Sequence, residues 1–165
     1  MSLTEPTIDP VHGVSYAFEP RDENLYVETR MKPGAKLPEH FHPTQVERWW
    51  VIDGNIRFQL GDVKRVISPE DGEMLVERGV RHSLENTGAD EVHLGCIVLP
   101  AGGLQDFLTD SAAAAREGLF LKGGIPKNLK GARWAANFLK QHRAETVMTF
   151  PPQFAQRAMI SIFAS

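Results

Sequence analysis

The sequence carries six histidines, and three of them, His40, His42 and His82, stand where they could act together with Glu47. His40 and His42 are separated by one residue, so on a β-strand both imidazoles leave the same face. Glu47 comes five positions after His42 and would face the wrong way on an unbroken strand. Pro43 and Thr44 supply a bulge or turn that restores the phase. His82 follows a turn at Gly79 and opens another strand. Three neutral imidazoles and one carboxylate suit a single divalent transition ion: iron, manganese, nickel, cobalt, copper or zinc. Gathering these groups in an apolar interior is costly without an ion or full hydrogen bonding, so the alternative is a hydrogen-bonded polar cluster without metal. Four ligands on a six-coordinate ion leave up to two positions for a substrate oxygen, water or dioxygen. Glu47 is the obvious proton acceptor there, which makes it the candidate catalytic base. His12, His93 and His142 have no partners at such spacing and read as solvated or hydrogen-bonded histidines.

Short strands punctuated by turns must position these side chains. Residues 24–31 (NLYVETRM) alternate Leu25, Val27 and Thr29 against Tyr26, Glu28 and Arg30. Residues 55–60 (NIRFQL) alternate more cleanly, with Ile56, Phe58 and Leu60 on one side. A period of two marks half-buried strands. Turn signals separate them at Lys32-Pro33-Gly34, Asp53-Gly54, Gly61-Asp62, residues 68–72 and residues 86–90. Asp53-Gly54 between two apolar runs predicts a hairpin, because glycine accepts the positive φ of a tight turn. Strands at this spacing predict an antiparallel sandwich or barrel. If Glu47 points inward, so do Trp49 and Val51, while Arg48 and Trp50 face out. With Ile56, Phe58 and Leu84 they predict a mainly apolar, partly aromatic substrate pocket, though each could equally be barrel filling.

Beyond Pro100 the pattern turns helical. Asp110 followed by residues 111–117 (SAAAARE) and Gly118 predicts a capped short helix. Residues 127–143 place Leu129, Ala132, Ala135, Phe138 and Leu139 near helical spacing, and residues 153–163 carry a second stripe after Pro151-Pro152. The expected organisation is an N-terminal arm and first strand over 1–22, a barrel over 23–100, and a helical C-terminal extension over 101–165 packed on the barrel. The 18 Lys and Arg nearly balance 21 Asp and Glu, without a basic run, which speaks against nucleic acid or an anionic membrane as partner. Cys96 stands alone, so no intrachain disulfide forms. With no visible secretory signal or apolar span, the expected location is the cytoplasm. Trp50, expected to face outward, would seek cover, and a homodimer is the expected way to supply it.

The spacing Gly34, His40, His42, Glu47, Gly54 resembles the first motif of the cupins: glycine, five residues, H-x-H, four residues, glutamate, six residues, glycine. Residues 72–86 (GEMLVERGVRHSLEN) are similar to the second motif through Gly79, His82 and Asn86. Two departures stand out: the segment from Gly72 to Gly79 is one residue shorter than usual, and Arg78 stands where a proline is customary. The likeness covers roughly residues 23–100.

This resemblance implies a mainly β, jelly-roll (double-stranded β-helix) barrel and the ligand role for His40, His42, Glu47 and His82. It also implies a small-molecule substrate. A metal-dependent enzyme is the leading expectation, with a dioxygenase acting on an oxygen-chelating substrate as the preferred form. Redox-neutral isomerase, lyase or cyclase chemistry and a non-catalytic binding role are the alternatives.

Overall fold

The computed structural model describes residues 2–164. The strands in chain order are β1 (Thr7–Asp9), β2 (Val14–Arg21), β3 (Asn24–Met31), β4 (Lys36–Phe41), β5 (Val46–Asp53), β6 (Ile56–Leu60) and β7 (Val63–Ile67). They continue with β8 (Met74–Val76), β9 (His82–Glu85), β10 (Val92–Leu99), β11 (Phe120–Leu121), β12 (Ile125–Pro126) and β13 (Val147–Met148). Three helices, α1 (Leu104–Arg116), α2 (Leu129–Gln141) and α3 (Gln153–Phe163), lie in the C-terminal third.

Two antiparallel sheets share one apolar core. One has the order β1-β2-β3-β10-β5-β8, the other β13-β4-β9-β6-β7. Phe18, Leu25, Val27, Met31, Trp49, Leu94 and Val98 of the first sheet belong to the same buried cluster as Ile56, Phe58, Ile67 and Leu84 of the second. This is the expected jelly-roll fold, but as two facing sheets. Among the described residues the strands do not join into one closed ring.

Asp53-Gly54 does not make the expected hairpin. β5 and β6 belong to different sheets, and Gly54, at φ +88°, turns the chain from one to the other. A positive-φ glycine serves a corner as well as a hairpin. The outcome was decided by the edges of β5, which β10 and β8 both occupy. Two-residue hairpins occur instead at Asp22-Glu23, joining β2 to β3, and at Gly61-Asp62, joining β6 to β7.

Trp50 faces the outer side, as expected, yet finds its cover within the chain. It lies opposite Gly95 in the β5–β10 ladder and stacks on Tyr26 at 5.8 Å between ring centroids, with the planes 4° apart. A Cβ on Gly95 would stand 2.4 Å from the indole. Gly95→Ala should therefore drive Trp50 off its stack and cost about 1–2 kcal/mol of stability, the usual scale for overpacking. Denaturant midpoints measure the loss and near-ultraviolet circular dichroism the unstacking; an unchanged dichroism spectrum would refute the account.

The first helix is longer than expected. It begins at Leu104 after the Gly102-Gly103 turn, so Asp110 sits mid-helix rather than at a cap. Leu104, Phe107, Leu108, Ser111 and Ala115 recur at helical spacing and all line one cavity, and burial of that stripe extends the helix past its polar residues. At the start of α2, Asn128 caps the helix, its Oδ1 accepting the N–H of Gly131 at 3.0 Å. No helix among the described residues is long and apolar enough to cross a membrane.

Candidate metal centre

His40 lies on β4, His42 one residue beyond it, and His82 opens β9 directly opposite His40. Glu47 approaches from β5 in the facing sheet. The Pro43–Gln45 segment carries the chain between the sheets, which is how Glu47 recovers an inward direction five residues after His42. The Gly79 turn docks on this segment, its N–H donating to the carbonyl of His42 at 2.9 Å.

One nitrogen from each imidazole falls within 4.8 Å of the others. The ring centroids are 4.2 Å apart for His40 and His82, 5.0 Å for His40 and His42, and 5.3 Å for His42 and His82. Glu47 touches two of the three: Oε1 is 3.1 Å from His42 Nε2, and Oε2 is 3.0 Å from His82 Nε2.

The other nitrogen of each ring is anchored to main chain. Nδ1 of His40 donates to the carbonyl of Pro38 at 2.7 Å, Nδ1 of His42 to Glu145 at 2.6 Å, and Nδ1 of His82 to Val80 at 3.1 Å. A carbonyl only accepts, so each Nδ1 carries the proton and each neutral ring keeps its lone pair on Nε2. Nε2 of His42 and of His82 is buried without an aligned hydrogen bond, despite its closeness to the carboxylate. Lone pairs without donors, beside a carboxylate, are what a cation would satisfy. The donor set fits one divalent ion, which His40, His42, His82 and Glu47 would hold.

Electrostatics separate the rings: burial opposes charge on His42, but Glu47 outweighs it and raises that ring above the ordinary imidazole range. Burial pushes His40 well below the ordinary imidazole range, and His82 and His42 add to it, so His40 stays neutral. Burial opposes the charge on Glu47, but His42 and His82 outweigh it and hold the carboxyl well below its usual range. Trp49 Nε1–H donates to Glu47 Oε2 at 2.8 Å and fixes the carboxylate from behind. Cys96 stays a thiol, because burial and then the charge of Glu47 push it up.

The cluster opens into a cavity of about 480 Å³, within the size range of small-molecule sites. Of the pocket residues expected from strand parity, Trp49 lines this cavity, whereas Val51, Ile56, Phe58 and Leu84 do not. All four are buried in the core between the sheets. Parity fixes the face of a strand but not the depth. Val51 is two residues beyond Trp49, Leu84 two beyond His82, and Phe58 pairs with Leu84, about 7 Å per two-residue step away from the cluster.

The cavity wall that sequence reasoning missed comes from the C-terminal segment. Phe107, Trp134, Phe138 and Met148 line it, and Trp134 stacks on Phe138 with centroids 4.6 Å apart. The helical spacing of Phe138 was visible, but not what it would face, and Trp134 stood outside the stripe read from the sequence. Glu145 acts through its carbonyl, for which a side-chain pattern has no signal. His93 and His142 pair with Glu28 and Asp110, outside the cluster.

A protein-family model described as Cupin domain matches residues 27–98. A protein of Arthrobotrys oligospora named as an oxidoreductase is 37% identical over 82 residues, covering 48% of this chain and 32% of its own. Protein SchB of Streptomyces halstedii is 34% identical over 64 residues, covering 39% of this chain and 46% of its own. The chain thus spans less than half the length of either relative. Among solved structures, an RmlC-like cupin of Shewanella frigidimarina aligns with a TM-score of 0.54 at 22% identity, over 63% of this chain and 88% of that one. At that identity the likeness concerns the fold.

Proposed function

From the match of residues 27–98 to the Cupin domain model, we propose that the chain is a metal-dependent enzyme acting on a small organic substrate with oxygen donors, and that its reaction is a dioxygenation. The reading rests on three imidazoles tied by Nδ1 to backbone carbonyls, their Nε2 atoms converging with Glu47 beside a cavity of about 480 Å³. A bound divalent ion supplies Lewis acidity and open positions for a substrate oxygen and for dioxygen.

The remaining work falls to the chain itself. The backbone carbonyls keep the rings oriented, and Trp49 keeps Oε2 of Glu47 in place. Glu47, once a carboxylate oxygen is released from the cluster, accepts the proton of a substrate hydroxyl there. Apolar and aromatic walls lower the local dielectric and strengthen each polar contact inside. The name of the Arthrobotrys relative supports redox chemistry over the neutral alternatives.

The test uses protein loaded separately with iron, manganese or nickel, offered catechols, enediols and β-diketones in an oxygen electrode. Oxygen uptake in step with substrate loss, and label from ¹⁸O₂ in the product, are the expected results. Turnover that proceeds equally well without air overturns the dioxygenase reading in favour of an isomerase, lyase or cyclase.

A further inference from the structure

The cavity has a second polar end, away from the histidine cluster. Asp9 closes β1 with its side chain buried. Its Oδ1 accepts the backbone N–H of Val11 at 2.9 Å and of His12 at 3.1 Å. Those two bonds account for the local turn. Oδ2 is engaged separately, by the His12 ring, with Nδ1 at 2.8 Å. An ionised carboxylate only accepts, so the ring proton sits on Nδ1 and Nε2 keeps its lone pair. That nitrogen has no hydrogen-bond partner among the described residues, and both Asp9 and His12 line the same cavity as His40, Glu47 and Trp49.

The separation of the two ends follows from the strand between them. The N–H of Lys36, at the start of β4, donates to the carbonyl of His12 at 3.3 Å. His40 is four residues farther along that strand, at most roughly 13 Å at the usual rise per residue, since the β4 ladder is irregular between Leu37 and His40. Along one side of the cavity, Phe107 and Trp134 both pack against Phe138, with centroids 4.8 Å and 4.6 Å away. Two polar ends joined by an aromatic wall define the length and chemistry of what would fit.

We propose that the cavity takes an elongated, flat, mainly aromatic molecule with an oxygen donor at one end and a hydroxyl at the other, the hydroxyl being bound by Nε2 of His12. The near end rests on the metal reading given above; the His12 end does not. Asp9 fixes the tautomer, so His12 accepts from a hydroxyl, and the pair acts as a specificity device that selects length and orientation.

Two probes test this: 4′-hydroxybiphenyl-4-carboxylate and biphenyl-4-carboxylate, which differ only in the distal hydroxyl. Their affinities for the zinc-loaded protein are measured by calorimetry and by quenching of tryptophan fluorescence. The hydroxylated probe should bind roughly fivefold to tenfold more tightly, the worth of one hydrogen bond. His12→Phe, of similar size, should remove that preference while leaving zinc content and circular dichroism unchanged. His12→Gln, which keeps an acceptor, should retain more of it. Equal affinities in the unaltered protein, or a preference that survives both substitutions, overturn the proposal. The same titrations on metal-stripped protein separate the two readings. Unchanged affinity for both probes after stripping, with the hydroxyl preference intact, defeats the metal reading and leaves the His12 assignment standing.

Discussion

His82→Ala is expected to leave the purified protein with far less than one equivalent of bound divalent metal. His82 is fully buried and paired in register with His40, and its Nε2 is one of two in the cluster that are buried without an aligned hydrogen bond. Removing it takes away one of three imidazole ligands and leaves Glu47 Oε2 facing a void in place of a nitrogen 3.0 Å away. Even changes to groups that only orient ligands weaken metal binding by about 10–100-fold, so loss of a ligand should cost roughly 100-fold or more, about 3 kcal/mol. Elemental analysis after dialysis against a weak chelator measures this directly. His93→Ala is the matched control, since that ring pairs with Glu28 outside the site and its loss should leave metal content unchanged. Full metal occupancy in His82→Ala would remove the basis of the proposed function.

What the sequence disclosed followed from how local each signal was. The H-x-H spacing needs nothing but strand parity to put two imidazoles on one face, and the apolar alternation of residues 24–31 matches a strand with those bounds. Glu47 required only that something between Pro43 and Val46 reset the phase. Asp53-Gly54 shows where local reasoning ends. The dipeptide reports a positive φ, but whether the flanking strands pair depends on β8 and β10, which are distant in sequence. Val51 and Phe58 show the same limit in depth: both face inward, yet the cavity ends above them. Trp50 looked in need of a partner because its cover, Tyr26 and Gly95, arrives from two other strands. Most of all, the aromatic wall comes from Phe107, Trp134 and Phe138 beyond the barrel, and the carbonyl that anchors His42 comes from Glu145, separated from it by 103 positions. Helical stripes announce that something is buried, without naming the surface beneath.

That dependence on the C-terminal segment makes Gly131 the most sensitive position outside the metal cluster. It sits in the first turn of α2, buried, where a Cβ would stand 2.5 Å from the carbonyl oxygen of Leu119 and 3.5 Å from Pro126. The Leu119 oxygen cannot swing aside as a side chain could, because it already accepts the N–H of Lys127 at 2.9 Å. Gly131→Ala gains up to about 1 kcal/mol of helix propensity, but only if the helix can stay where it is. It cannot, so α2 must move by several tenths of an ångström relative to β12 and α3, and overpacking of this kind costs roughly 2–3 kcal/mol. The displaced helix carries Trp134, Ala135, Phe138 and Leu139, all of which line the cavity, and it leads through His142 into the segment whose Glu145 carbonyl anchors His42. Gly131→Ala should therefore lower the denaturation midpoint and weaken binding of the biphenyl probes together. Metal content should fall less than in His82→Ala, because three imidazoles and Glu47 remain on strands that do not move. A Gly131→Ala protein as stable as the parent, with probe affinity intact, would show that α2 is free to yield at this contact and that the cavity wall is softer than its packing implies.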